Sequence, residues 1–416
     1  MMRTLALKIG WLGLAALLAS ACSTPPRWRA DDMPTETDVE LLLRAESSVA
    51  VVRRMRPEEI PDVPARERFR PCCAFGADLR AGVGPVPVPM FVIGNLLGVD
   101  ELGNHRYDSG VVKLGPSGDN SSFFQREPNG LVYTCRGGFI DTAHVRDVAD
   151  WTLFLASQIA RNLETGMVLE LPDEGGQRRI VLEPVDEIHI ERVGRRPIAI
   201  ELGQWAAFQI SIWHEIATWY GWSTLPAFPE TASAFSPEDL YSNILGAKIY
   251  AALASQRSAR SEFTYNRSFD EWLHSALLYL GAVPPDVASA AMQSVDQRWW
   301  DSRQLLPQRE LVIRRNFEIG ARIEPWLVPP EIAPASLVAA CGRPDPEPVT
   351  IENPPRVGHL ACGDLVRLEI TPETDLAAAL PAEFRGAVLS SQDFPQIVAA
   401  TRELSLRDFG PGSDAP

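Results

Sequence analysis

The sequence predicts an α+β protein with a mainly helical core, one β-hairpin, short strands and proline-rich loops. Long apolar patterns at helical spacing recur through the middle of the chain. Two short apolar segments flank an acidic, glycine-containing turn, which is typical of a hairpin. Proline contributes 35 of the 416 residues. That share is well above the roughly 5% of average proteins and predicts many loops and extended connections.

Helices are expected at seven places along the chain: 38–54, 141–163, 200–220, 236–255, 268–280, 285–301 and 395–404. The start at Ser236-Pro237-Glu238-Asp239 is the best marked, because it combines an N-cap serine, a proline at the first helical position and acids in the first turn. Residues 167–171 and 178–184 should form the hairpin, with their turn pointing to solvent, and residues 365–370 a further strand.

The first residues are typical of an export signal. An apolar run over residues 9–18 is shorter than the ~20 residues of a membrane-spanning helix. It is followed by Ala19-Ser20-Ala21-Cys22, which resembles a bacterial lipobox and implies lipidation of Cys22. Alanine stands at position 19, where lipoboxes favour leucine, so plain secretory cleavage remains an alternative. Ser23 follows the lipobox cysteine, and the resemblance to lipoproteins then implies a location in the outer membrane, with the protein facing the periplasm.

The chain divides into four parts: a lipoprotein signal peptide over 1–21, a membrane tether over 22–37, a main mixed helical domain over 38–330 and a proline-rich C-terminal extension over 331–416. Its net charge is -15 and it has no basic run. Because phosphate neutralisation supplies most nucleic-acid affinity, nucleic acid is excluded as a partner. The expected partner is the membrane, through lipidated Cys22.

The cysteines predict crosslinks of an oxidising compartment. Cys341 and Cys362 each stand between alanine and glycine and bracket a proline-dense loop, so a Cys341–Cys362 disulfide is expected. Cys135 should then pair with Cys72 or Cys73.

Cys135 also has a catalytic interpretation. It precedes two glycines and a helix start, where backbone N–H groups can lower the pKa of a thiol. The alternative is therefore a cysteine nucleophile with His144 or His214 as its base.

Two strings of unusual residues carry a family resemblance: GLVYTCRGGFIDTAHVRD over 130–147 and WHEIATWYGW over 213–222. With Arg70-Pro71-Cys72-Cys73 and the lipoprotein leader, they make residues 40–330 similar to the bacterial envelope family catalogued as domain of unknown function 4056. The resemblance implies an envelope protein and no particular activity.

Three predicted helices each present a polar stripe that could bind a ligand: Asp141 with His144, His214 with Glu215, and Asp239 with Asn243. If these stripes converge, they form a site of histidines and carboxylates suited to Zn²⁺ and to the activation of water. A thermolysin-type zinc helix is not supported, because Thr218 stands where that motif has its second histidine.

The leading hypothesis is a metal-dependent hydrolase of an envelope substrate such as peptidoglycan, lipid or peptide. His144, His214 and Asp239 would hold the metal, and Glu215 would act as base or as a partner of the ligands. This requires the His144 and His214 side chains to lie within about 8 Å of each other. The alternative is a non-catalytic scaffold or binding lipoprotein, in which the same residues form a buried polar network that satisfies itself.

Overall fold

Helices and small antiparallel sheets make up the part of the chain that the computed structural model describes: residues 34–45, 60–66, 69–70, 74–83, 86–107, 127–224, 230–255, 259–320, 322–350, 356–357 and 360–410. The predicted α+β class is confirmed. Cys22 and the leader, and also Cys72 and Cys73, lie outside the described residues.

Eleven α-helices lie in these ranges: α1 Glu36–Arg44, α2 Thr142–Asn162, α3 Glu187–Val193, α4 Arg195–Trp219, α5 Asp239–Ser255, α6 Glu262–Tyr279, α7 Pro285–Ser294, α8 Ala335–Cys341, α9 Cys362–Leu365, α10 Thr374–Ala379 and α11 Phe394–Phe409. None of the helices that the structure describes is long and apolar enough to span a bilayer.

Twelve strands accompany them: β1 Leu79–Val83, β2 Val86–Ile93, β3 Leu131–Thr134, β4 Gly138–Asp141, β5 Met167–Leu171, β6 Gly176–Leu182, β7 Arg322–Ile323, β8 Val349–Thr350, β9 Arg356–Val357, β10 Leu360–Ala361, β11 Val366–Pro372 and β12 Leu389–Ser390. One sheet has four strands in the order β12-β11-β6-β5, and the others are two-stranded.

Helices α2, α4 and α5 form the centre of the molecule. All 17 residues of α5 are buried. A Cβ atom on Gly246 of α5 would lie 2.1 Å from the carbonyl oxygen of Val145 on α2. A Cβ atom on Gly203 of α4 would lie 3.0 Å from Ala156, which is also on α2. Because glycine has no side chain, α4 and α5 both approach the backbone of α2 closely. This packing brings the polar stripes of the three helices together.

The predicted hairpin is present as β5 and β6, and β11 extends it into a larger sheet. Strand β11 pairs antiparallel with β6 over seven residues, from Val366 opposite Leu182 to Pro372 opposite Gly176. Helix α11 packs on α4, where the rings of Phe394 and Trp213 stack with centroids 6.0 Å apart. The proline-rich C-terminal region therefore completes the sheet and covers α4.

A disulfide joins Cys135, just after β3, to Cys341 at the end of α8. The predicted Cys341–Cys362 bond is therefore wrong, and so is the pairing of Cys135 with Cys72 or Cys73. Cys362 begins α9 and its side chain is fully buried in the hydrophobic core, away from the bond. The prediction failed because it paired cysteines that are near in sequence, whereas the fold brings together two that are 206 residues apart.

Candidate metal centre

Three buried residues with metal-binding side chains meet where α2 and α5 begin. Asp141 is the N-cap of α2, His144 lies in its first turn, and Asp239 is the first residue of α5. One ligand atom from each residue lies within 4.8 Å of the other two. Each residue is at most 6% exposed. It is the only such group of histidine, cysteine or carboxylate side chains in the described ranges.

Backbone hydrogen bonds hold both aspartates in place. Oδ1 of Asp141 accepts from the N–H groups of Ala143 at 2.7 Å and His144 at 3.3 Å, which confirms the predicted helix start. Oδ2 of Asp239 accepts from the N–H of Ser236 at 2.7 Å. The other oxygen of Asp239 lies 3.8 Å from Nδ1 of His144. The two helix starts therefore fix one imidazole between two carboxylates.

Two glutamates add further carboxyl groups to this buried region. Oε2 of Glu215 accepts from the N–H of Phe235 at 2.7 Å. Oε1 of Glu215 and both oxygens of Glu238 are buried without a hydrogen bond to any residue that the structure describes. Burial, and then the charges of Asp141 and Glu215, raise the pKa of Glu238 well above its usual range. Burial, and then the charge of Glu215, do the same to the pKa of Asp239.

The nearby arginine does not neutralise these carboxylates by direct contact. Arg315 interacts electrostatically with Asp239 and Glu215. Its guanidinium donates its hydrogen bonds to the carbonyl oxygens of Ala234 and Arg309 instead. The group therefore gathers several carboxyl groups in a buried region where no arginine of the described residues contacts them directly.

A second buried acidic group, further along α2, shows the opposite arrangement. Nη1 of Arg70 lies 2.7 Å from Asp147 and 2.9 Å from Asp150. Arg66 contacts the same two aspartates at 3.0 and 3.3 Å. These acids are compensated by arginines, as a structural ion-pair network requires.

His214 borders the three-residue group and is held by a glutamate that the sequence analysis missed. The ring centroids of His214 and His144 lie 6.3 Å apart, within the limit set from the sequence. Nδ1 of His214 is hydrogen-bonded to Oε1 of Glu174, and Glu174 is also paired with Arg178. Burial lowers the pKa of His214, but the charge and hydrogen bond of Glu174 outweigh burial and raise it to about 9. The sequence analysis named His214 as a metal ligand, but His214 is not one of the three residues whose ligand atoms converge.

Glu174 also corrects the expected geometry of the hairpin turn. The turn between β5 and β6 was expected to point to solvent, but Glu174 is only 1% exposed. Its backbone carbonyl accepts a hydrogen bond from the indole of Trp213 at 2.8 Å. The turn is therefore folded against α4, where it reaches His214.

The thiol of Cys135 is used in the bond to Cys341. A nucleophile must be a thiolate, so this pairing supports the structural interpretation of Cys135 over the catalytic one.

Residues 60–329 match the model of a family described as "Protein of unknown function (DUF4056)". The chain belongs to this family. The membership of DUF4056 expected from the sequence is thereby confirmed. Asp141, His144, Glu215 and Asp239 all lie inside the DUF4056 match, whereas Cys341 and strand β11 lie beyond it. No curated protein and no solved structure matches the chain. The DUF4056 description names no activity, so any function must be argued from the residues.

Proposed function

We propose that this protein is a metal-dependent hydrolase of the bacterial cell envelope, carried there as a lipoprotein through Cys22. The observation that supports the metal is the convergence of Asp141, His144 and Asp239 within 4.8 Å. One imidazole and two carboxylates suit Zn²⁺, and catalytic zinc sites have three protein ligands and keep a fourth position for water. When bound, such an ion supplies Lewis-acid activation of water.

The unpaired carboxylate oxygens favour a cation over a self-satisfied polar network. Buried polar atoms in a structural network are normally hydrogen-bonded. Asp147 and Asp150 meet this condition through their arginines. Glu238 and Glu215 leave three oxygens without a hydrogen bond among the described residues. A divalent cation at the three-residue group would offset the charge of ionised carboxylates, whereas a metal-free scaffold must keep Asp239 and Glu238 protonated.

The remaining residues can be given roles in hydrolysis. Glu215 is anchored through Oε2 by the N–H of Phe235, so its other oxygen can accept a proton from the attacking water. His214, oriented by Glu174, can donate a hydrogen bond to an oxygen on which negative charge develops. Asp141, His144 and Asp239 hold the ion.

Metal binding tests the first part of the proposal. The mature chain is dialysed against a chelator and titrated with Zn²⁺ by calorimetry, and the bound metal is counted by mass spectrometry. We expect one ion per chain, and we expect His144→Gln and Asp239→Asn to weaken binding at least about 100-fold, more than the loss of an outer partner does. His274→Gln is the matched control, since this side chain on α6 is 39% exposed. If the wild type binds no stoichiometric ion, or if His144→Gln binds as tightly as the control, the centre is not a metal site.

Turnover tests the second part. Purified peptidoglycan, phospholipid vesicles and a peptide mixture are each incubated with the zinc-loaded protein, and the released products are measured. Glu215→Gln keeps an acceptor for the N–H of Phe235, so it should fold and bind Zn²⁺ normally while losing about 100-fold or more of the turnover. Full turnover in this variant would remove Glu215 from the mechanism.

A further inference from the structure

An open cleft with a volume of about 310 Å³ lies at one end of the four-stranded sheet. Three elements line it: the turn between β5 and β6, the end of β11, and the segment that follows α4. The side chains that matter for binding are Asp173, Gln177, Trp222, Thr371 and Glu373. Four of them are exposed and Trp222 is half-buried.

The cleft shares a wall with the candidate metal centre. Glu174, which holds His214, lies in the turn that lines the cleft, directly after Asp173. The ring of Trp222 packs edge-on against His214, with centroids 5.8 Å apart. His214 in turn lies beside His144. The cleft lining therefore contacts His214, which borders the metal ligands.

The turn that lines the cleft is fixed by close packing. Gly175 and Gly176 have φ angles of +63° and +148°. A Cβ atom on Gly176 would lie 2.3 Å from the carbonyl oxygen of Thr371, and one on Gly175 would lie 2.5 Å from Leu376 of α10. Only glycine fits both positions, so the turn is held against β11 and the cleft is pre-formed.

We propose that this cleft binds a glycan, specifically an uncharged oligosaccharide of N-acetylated sugars. The glycan is then the substrate of the proposed hydrolase, and to that extent the assignment rests on the proposed function. Binding itself needs no metal, because none of Asp141, His144 and Asp239 lines the cleft.

The lining residues disfavour a lipid. They include two carboxylates and no lysine or arginine, so a phosphate-bearing lipid would be repelled. Trp222 and Pro372 are the only large apolar groups among them, too few to cover an acyl chain. A cationic peptide would pair with the carboxylates, and its binding in place of a glycan is an outcome of the test below.

A sugar ring uses all of these groups at once. The amide of Gln177 and the hydroxyl of Thr371 can both donate and accept hydrogen bonds, as sugar hydroxyls and acetamido groups do. The carboxylates of Asp173 and Glu373 accept from hydroxyl groups. The ring of Trp222 offers a flat apolar surface for the C–H face of a sugar, with its polar N–H at the edge.

Calorimetric titration with the tetramer of N-acetylglucosamine tests the assignment. We expect saturable binding by the wild type, about tenfold weaker binding by Trp222→Ala, and weaker binding by Asp173→Asn and Gln177→Ala. Gln177 is exposed, so its variant is informative even if Trp222→Ala fails to fold. Glu170→Gln is the matched control, because Glu170 is an exposed acid on the same hairpin that does not line the cleft.

The same titration on His144→Gln separates this assignment from the proposed function. Because the variant changes the metal centre alone, it should bind the tetramer like the wild type. If the wild type does not bind the tetramer, or if Trp222→Ala, Asp173→Asn and Gln177→Ala bind it as tightly as Glu170→Gln, the glycan assignment is wrong, whatever the Zn²⁺ titration shows. Binding of a tetralysine peptide or of anionic vesicles in place of the tetramer would also overturn it.

Discussion

The disulfide between Cys135 and Cys341 should contribute strongly to the stability of the fold. The bond closes a loop of 206 residues, and the chain-entropy relation for a loop of that length gives about 5 kcal/mol at 25 °C. The N–H of Cys135 donates to the carbonyl of Gly281 at 2.9 Å, and the N–H of Arg136 to that of Leu280 at 2.9 Å. These hydrogen bonds remain when the disulfide is removed, so the native structure should persist. The loss of stability should therefore come mainly from a less constrained unfolded chain.

Guanidinium unfolding without reductant, followed by circular dichroism, measures this loss. The double variant Cys135→Ala/Cys341→Ala removes both cysteines of the disulfide, so neither is left as an unpaired thiol. Cys362→Ala is the matched control, because it removes a fully buried sulfur from the core and should cost only about 1 kcal/mol, independent of reductant. Iodoacetamide should leave Cys135 unmodified in the unreduced wild type.

Reductant gives a second comparison on the same samples. Wild type in dithiothreitol should approach the stability of the double variant, and the double variant should not respond. The disulfide does not stabilise the fold in this way if the free energy of unfolding of the double variant lies within about 1 kcal/mol of that of the wild type, or if dithiothreitol leaves the wild type unchanged.

Three further predictions test the packing, a buried charge and the anchor. Gly246→Ala should lower the free energy of unfolding by about 2 kcal/mol despite the better helix propensity of alanine, because the new Cβ meets the carbonyl of Val145. Gly94→Ala, with open space around it, should be neutral. Equal melting temperatures of the two variants would contradict this prediction. Burial lowers the pKa of Lys248 to about 7, so the unfolded chain binds more protons between pH 7 and about 10 and the free energy of unfolding should rise with pH across that window. Lys248→Met should flatten this rise, and an unchanged pH profile would exclude Lys248 as its cause. Cys22→Ala should release the folded protein from the membrane fraction, and retention in high salt would mean that lipidation is not the anchor.

The starts of α2 and α5 could be predicted because local hydrogen bonds determine where these helices begin. Asp141 caps α2 with its own side chain, as its position before an apolar pattern indicates. The start of α5 is shifted by three residues, since the helix begins at Asp239 and the carboxylate of Asp239 bonds back to the N–H of Ser236. These features depend on residues within one or two turns of each other.

Glu174 could not be predicted, because its position depends on distant parts of the chain. An acidic turn with two glycines is the usual composition of a solvent-exposed hairpin tip. Its burial follows from the pairing of β11 with β6 and from the packing of Trp213 and His214, about 40 residues further along the chain. The partner of Cys341 was missed for the same reason. Glu238 was predicted only as an acid of the first helical turn, and the helix packing shows that its carboxylate is buried.

The raised pKa of Asp239 makes opposite predictions for stability with and without metal. Protonating this buried carboxyl on folding costs stability at neutral pH, so in metal-free protein Asp239→Asn should stabilise the fold by about 1–2 kcal/mol, while its amide oxygen still accepts from the N–H of Ser236. Zn²⁺ at 1,000 times its dissociation constant stabilises a folded protein by about 4 kcal/mol. The wild type should gain this and the variant should not, so their order of melting temperatures should reverse when Zn²⁺ is added. If the residues form a polar network that needs no cation, Asp239→Asn should destabilise the metal-free protein, because it removes one member of the network. Zn²⁺ should then change neither melting temperature. Melting curves of both proteins, with chelator and with Zn²⁺, therefore decide between a metal centre and a scaffold without any knowledge of the substrate.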